Sequence, residues 1–196
     1  HVAKLTFKLE DVNYVTMMTQ SPHVFILNPA QGMPDLKAVV EAARKAPGKL
    51  NFGSPGNGSS THLDGELLQA EAKIDMQHIP YKGGAASLNA LLAGEVQLLA
   101  VEVSAAMGLQ GKLKIAAVMA DRRLPQLPDV PTMQELGFPK VMSSSMYGLI
   151  APHRTPAAIT EKLRLATIKV MNSPEVKNRL NSQGQAVVTG SSDEYR

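Results

Sequence analysis

The sequence contains no cysteine and no tryptophan. Without cysteine there is no disulfide, no thiolate nucleophile and no Cys-ligated zinc, while the redox compartment stays open. Aromatic residues make up only 4% of the chain, and the 20 Lys and Arg are scattered without runs. The formal charge of +3 therefore does not form the basic, aromatic-interleaved face that nucleic acid requires, and no nucleic-acid partner is expected. No apolar run reaches the ~18 residues of a membrane-spanning helix, and no signal-peptide pattern opens the chain. The protein is not expected to span a membrane itself. The chain starts at His1 rather than Met, which reads as an upstream segment removed or left out. The five His show no metal-ligand spacing, and neither metal nor cofactor is expected. Gly-x-Ser-x-Gly is missing, and Ser60, His62 and Asp64 fall within one helical turn, where they cannot line up as nucleophile, base and orienter. The chain reads as a binding protein, not an enzyme.

Hydrophobic residues supply 44% of the 196 positions, enough for a sizeable core in one large or two small domains. The stretch around which the rest is organised is Leu50 to Asp64, LNFGSPGNGSSTHLD. A short apolar run passes through a Gly-rich turn to Ser59, Ser60 and Thr61, just ahead of the helical pattern Leu63, Leu67, Leu68. A helix start carries backbone N–H groups without intrahelical partners and the positive end of the macrodipole, which favours an anion by about 0.3–1 kcal/mol. Glycines let the backbone come close, and the hydroxyls add donors. Gly56-Asn57-Gly58 lacks the third Gly of a dinucleotide fingerprint, and no Lys follows Gly58 as a P-loop would require. The chemistry points to a carboxylate or another small anion, with an ordinary Ser-capped helix after a Gly turn as the alternative. His62 reads as a helix-start residue that braces the loop.

Along the chain, Val12 to Met18 and His23 to Leu27 read as two strands with an irregular link at Ser21-Pro22. Asp35 opens a helix that turns Leu36, Val39, Val40 and Ala43 to one face and stops at Pro47-Gly48. Lys49 to Gly53 is a strand, the helix from Ser59 runs to about Lys73, and Met76 to Tyr81 is a strand ending in Lys82-Gly83-Gly84. That loop faces the carboxyl ends of the strands, where open α/β folds bind ligands, or is a plain strand-to-helix turn. SLNALLAG is a helix closing at Gly94. Val96 to Val101 and Leu113 to Ala120 are buried strands separated by a helical piece, Ser104 to Leu109. Alternating strands and helices imply an α/β fold with a largely parallel sheet. After a Pro-stiffened connection, Thr132 is expected to cap a short helix, Val141 to Ile150 to form a long strand, and Ala157 to Met171 a helix with Ile159, Leu163, Ala166 and Val170 inward. A further helix opens at Ser173-Pro174 and ends at Gly184, QAVVT forms a last strand, and Ser191 with Glu194 reads as a capping box starting a final helix.

The ordered motifs NFGSPGNGSSTHLDGELL, HIPYKGGAASLNALLAGEVQLL, GKLKIAAV, RLPQLPDVPTMQELG and MYGLIAP, followed by TPAAITEKL, resemble the extracytoplasmic solute receptors of the tripartite tricarboxylate transporter family. The likeness spans nearly the whole chain. It implies a periplasmic binding protein of the Venus-flytrap type, in which two α/β domains with mainly parallel sheets are joined by crossing strands. Such a receptor closes over a small carboxylate and delivers it to membrane transporter subunits. On this likeness residues 27–142 correspond to the second ligand-binding domain, and 1–26 with 143–196 to the remainder of a first domain whose N-terminal part is missing here. The expected ligand-binding residues are Ser54, Gly56, Asn57, Gly58, Ser59 and Ser60 in the first loop and Lys82, Gly83 and Gly84 in the second. Two departures stand out: nothing matches the Pro-Gly-Gly loop that supplies half of the family's anion cradle, and Val101 stands where relatives commonly place an acid, with Glu102 one position on. Other readings are a ligand-sensing regulatory domain of similar fold and a small-anion α/β enzyme.

Overall fold

A computed structural model describes residues 8–109 and 111–191. Ser192, Asp193 and Glu194 of the expected final capping box, and so the helix they would start, lie outside the described residues. The chain divides into two compact units, one formed by Pro22–Ser144 and the other by His1–Ser21 with Ser145–Arg196.

Through Pro22–Ser144 the elements run β1 (Val12–Leu27, entering from the other unit), α1 (Leu36–Lys45), β2 (Asn51–Ser54), α2 (Ser60–Ala72), β3 (Gln77–Pro80), α3 (Gly84–Ala93), β4 (Leu98–Glu102), α4 (Val103–Met107) and β5 (Lys114–Val118). The sheet order is β3-β2-β4-β1-β5. β2 pairs parallel with β3 and β4, whereas β1 lies antiparallel to both β4 and β5, so the sheet is mixed with four strands pointing one way. Residues 23–27 of β1 are all buried. Phe25 and Leu27 join a core with Leu36, Val39 and Val40 of α1 and Leu68 of α2, while Val24 and Ile26 join another with Ala90 and Leu91 of α3. A strand apolar on both faces demands cover on both, and the crossover helices provide it. Asp35 caps α1 by accepting from Ala38 N at 2.8 Å, and Leu36, Val39, Val40 and Ala43 form its buried stripe as their spacing requires.

Three expectations are corrected. β1 is one continuous strand of 16 residues, not two. Pro22 sits where the ladder changes partner: Gln20 pairs with Ala186, while His23 pairs with Glu102. The segment after Thr132 is a turn and not a helix. Its reciprocal box closes, with Thr132 N donating to Glu135 Oε2 at 2.7 Å and Glu135 N to Thr132 Oγ1 at 3.1 Å, but left-handed Gly137 at φ +91° and then Pro139 halt propagation. α3 starts at Gly84 rather than at Ser87: Gly83 at φ +96° takes the N-cap position, and the Gly83-Gly84 pair hides a first turn that Ala85 and Ala86 favour.

The other unit contains the first half of β1, β6 (Ser144–Pro152, later than expected), α5 (Ala157–Met171), α6 (Pro174–Ser182) and β7 (Ala186–Val187), with β6 and β7 pairing with β1. Ile159, Leu163, Ala166 and Val170, expected to face inward, are exposed, and Met171 is the buried residue of α5. Periodicity decides which residues share a face, but burial needs a covering layer, and the described residues of this unit leave that face open. Ala166 and Val170 border a shallow groove of about 360 Å³ with Met18 and Leu149.

Candidate functional site

Within Pro22–Ser144, the parallel strands β2, β3 and β4 end on one edge, and the loops that follow lead into α2, α3 and α4. A cavity of about 610 Å³ opens there, lined by Ser60 and Thr61 of α2, Gly84, Ala85 and Ser87 of α3, and Val101 to Ala105 in part. At the start of α2 the Ser59 hydroxyl accepts from His62 N at 3.2 Å, which satisfies the third N–H of the helix. The two before it, on Ser60 and Thr61, have no intrahelical acceptor. Gly83 has no side chain with which to cap α3, so the N–H groups of Gly84 and Ala85 are in the same position. These four residues all line the cavity, and two helix starts present positive ends to one space. Among the described residues lining it, the one ionisable side chain is Glu102, beside Val101.

Of the residues expected from sequence, Ser60 and Gly84 line the cavity; Ser54, Gly56, Asn57, Gly58, Ser59, Lys82 and Gly83 are not among its lining residues. Lys82 is exposed and Ser54 is buried. The loop is held by its own contacts: Gly56 N donates to Ser54 Oγ at 3.1 Å, Ser59 Oγ to Gly56 O at 2.8 Å, and Gly58 N to His62 Nδ1 at 3.0 Å. Gly56 and Gly58 both have positive φ, +149° and +74°, the left-handed side that favours glycine. His62 thus braces the loop as read from sequence. Its ring stacks on that of His78 with centroids 3.8 Å apart, and Phe52 lies against His78 at 4.9 Å. His78 Nε2 is 2.7 Å from Ser54 Oγ. Burial holds the His78 pKa below the ordinary histidine value, the neighbouring His62 lowers it further, and Glu66 opposes.

Sequence reasoning missed His23, which sits at Asp64 with its Nδ1 2.5 Å from Oδ2, both side chains buried. Ser143 Oγ is 3.1 Å from the same Nδ1. A Ser-His-Asp relay needs its Ser and Asp on opposite ring nitrogens, so this trio is a structural clasp between β1, α2 and the segment before β6. The signal available in the sequence was a His within the apolar run HVFIL, a polar side chain that needs a buried partner. Among the described residues no three His, Asp or Glu side chains gather as a metal site would, and no helix is long and apolar enough to cross a membrane.

A mixed sheet with helices on both faces and a cavity at the carboxyl ends of its parallel strands is the architecture of the periplasmic-binding-protein fold. The chain belongs to the tripartite tricarboxylate transporter family of receptors, whose family model matches residues 1–196. It is 32% identical over 173 residues to the "UPF0065 protein in gbd 5'region" of Cupriavidus necator, covering 88% of this chain and 53% of that protein. The chain thus spans about half the length of the curated relatives it matches. Among solved structures, one described as a periplasmic transporter superimposes with a TM-score of 0.91 at 30% identity, over 100% of this chain and 66% of that one. MatC of Rhodopseudomonas palustris with bound malate gives 0.83 at 28% identity, over 94% and 64%. R. palustris Rpa4515 with adipate gives 0.89 at 26% identity, over 94% and 62%.

Proposed function

We propose that this chain is part of a periplasmic receptor that captures a small carboxylate without turning it over and delivers it to the membrane subunits of a tripartite tricarboxylate-type transporter. In this reading residues 27–142 are the second ligand-binding domain, and 1–26 with 143–196 belong to the first. The supporting observation is the convergence of two helix starts, at Ser60-Thr61 and Gly84-Ala85, on one cavity. Backbone N–H groups at a helix start suit a carboxylate and have nothing to offer a cation. Malate and adipate bound to structural neighbours agree in chemical class. The Gly-rich loop Ser54–Ser60 sets the start of α2, and Lys82-Gly83-Gly84 sets that of α3. Thermal-shift and calorimetric titration with malate and adipate, against their diamides, tests the reading. An acid at 100 times its dissociation constant is expected to add ~2.7 kcal/mol of stability, and equal shifts from acids and amides would refute it. NMR of the bound acid after long incubation is expected to show no new product.

A further inference from the structure

Two of the contacts that fix the Gly-rich loop end on histidines, and one of these exists in a single protonation state. Gly58 N–H donates to His62 Nδ1 at 3.0 Å, so that nitrogen carries a lone pair and the ring's proton is on Nε2, which faces Glu66 Oε1 at 3.4 Å. Protonation of the ring places a second donor opposite the Gly58 N–H, and the contact is lost. On the strand side, the Ser54 hydroxyl proton has two acceptors within reach, His78 Nε2 at 2.7 Å and Gly56 O at 3.0 Å. A cationic His78 removes one of them. The two rings are stacked 3.8 Å apart, so charge on either disfavours charge on the other. The groups facing the pair are Glu66 on α2, which favours protonation, and Phe52 and Ser54 on β2, which are neutral; Asp64 of α2 is turned to His23 of β1.

We infer that His62 is a positioning residue for the carboxylate loop, which it holds in its binding geometry only while its ring is neutral, with His78 stacked on it. The inference rests on the reading that this loop sets one wall of a carboxylate site. Affinity then falls as pH drops through the histidine range, for a reason located in the protein and separate from protonation of the acid.

Malate is the probe. Its affinity for the protein is measured by calorimetry between about pH 7.5 and about pH 5.5, alongside His62→Asn, whose amide oxygen offers an acceptor near the Nδ1 position and does not titrate. Protonation of malate is common to both proteins. The parent is expected to lose about three- to tenfold more affinity over this range than the variant, the weight of one hydrogen bond. Identical pH profiles would overturn the inference. Should His62→Asn fail to fold, ligand-free NMR of the parent decides. If malate binds at no pH, the carboxylate reading fails separately, and ligand-free NMR decides the inference. A Gly58 amide shift that follows the His62 ring titration supports it, and one that ignores that titration overturns it.

Discussion

His23 and Asp64 meet 2.5 Å apart with both side chains out of solvent, and that contact fastens the central strand β1 to the first turns of α2. Ser143 Oγ approaches the same nitrogen at 3.1 Å. Removing one member of a buried pair strands the other, so Asp64→Ala is expected to cost about 3–5 kcal/mol, read from urea unfolding. A loss below about 1 kcal/mol, the range of an exposed pair, would mean that the clasp contributes little.

Gly65 lies in the middle of α2, where alanine is ordinarily better by about 1 kcal/mol. Here a Cβ would run into the ring of Phe52, so Gly65→Ala is expected to destabilise by about 1–3 kcal/mol. Because Phe52 is part of the stack with His62 and His78, NMR should also show shifts in both imidazoles. A stabilised variant with unmoved histidines would contradict the packing described.

Gly58 holds φ +74°, a region that costs residues with a Cβ about 1–2 kcal/mol. Gly58→Val is expected to move the Gly58 N–H off His62 and to lower malate affinity more than Ser59→Ala, which removes a cap worth typically ~1 kcal/mol. Calorimetry on both folded variants gives the order, and parent-like affinity in Gly58→Val would remove the loop from the site.

Burial lowers the pKa of His78, with His62 adding to the effect, below its ordinary value of 6.5. The unfolded chain then binds more protons than the folded one just below pH 6.5, so stability is full above that value and declines as pH falls toward the lowered pKa. Unfolding midpoints across this range are expected to fall less in His78→Gln than in the parent, and equal slopes would show that His78 does not carry the effect.

Ile159 and Leu165 on α5 are 51% and 54% exposed. Ile159→Lys and Leu165→Lys are each expected to reduce binding of a hydrophobic dye and change stability by no more than about 0.5 kcal/mol. A large loss of stability would mean that these side chains are covered.

Where local pattern and buried environment agree, the sequence was readable. The stripe of α1 and the alternation of strand and helix around LNFGSPGNGSS follow from spacing alone, and the Ser59 cap follows from residue type. β1 was misread because Pro22 is a local break signal, whereas the continuity of a strand is decided by its partners, β7 before Pro22 and β4 with β5 after it. The α5 face illustrates the converse: Ile159, Leu163 and Val170 share a face by spacing, but the covered face is the neighbouring one with Thr167, Ile168 and Met171, which periodicity alone does not choose. At the site, loops were visible through their glycines. The pairing of His78 with Phe52 across β3 and β2, and of His23 with Asp64 across 41 positions, is set by strand register and tertiary packing, which no short window contains.

The helix-start donors at the cavity belong to the main chain of Ser60, Thr61, Gly84 and Ala85, and an alanine scan does not remove them. Truncating any of these side chains leaves every N–H in place. What the site cannot survive is a residue without that hydrogen or a loop that aims it elsewhere, so proline at Thr61 or Ala85 is the informative substitution. On the proposed carboxylate reading, the side chains around the cavity can change to suit different acids while these main-chain donors stay in place.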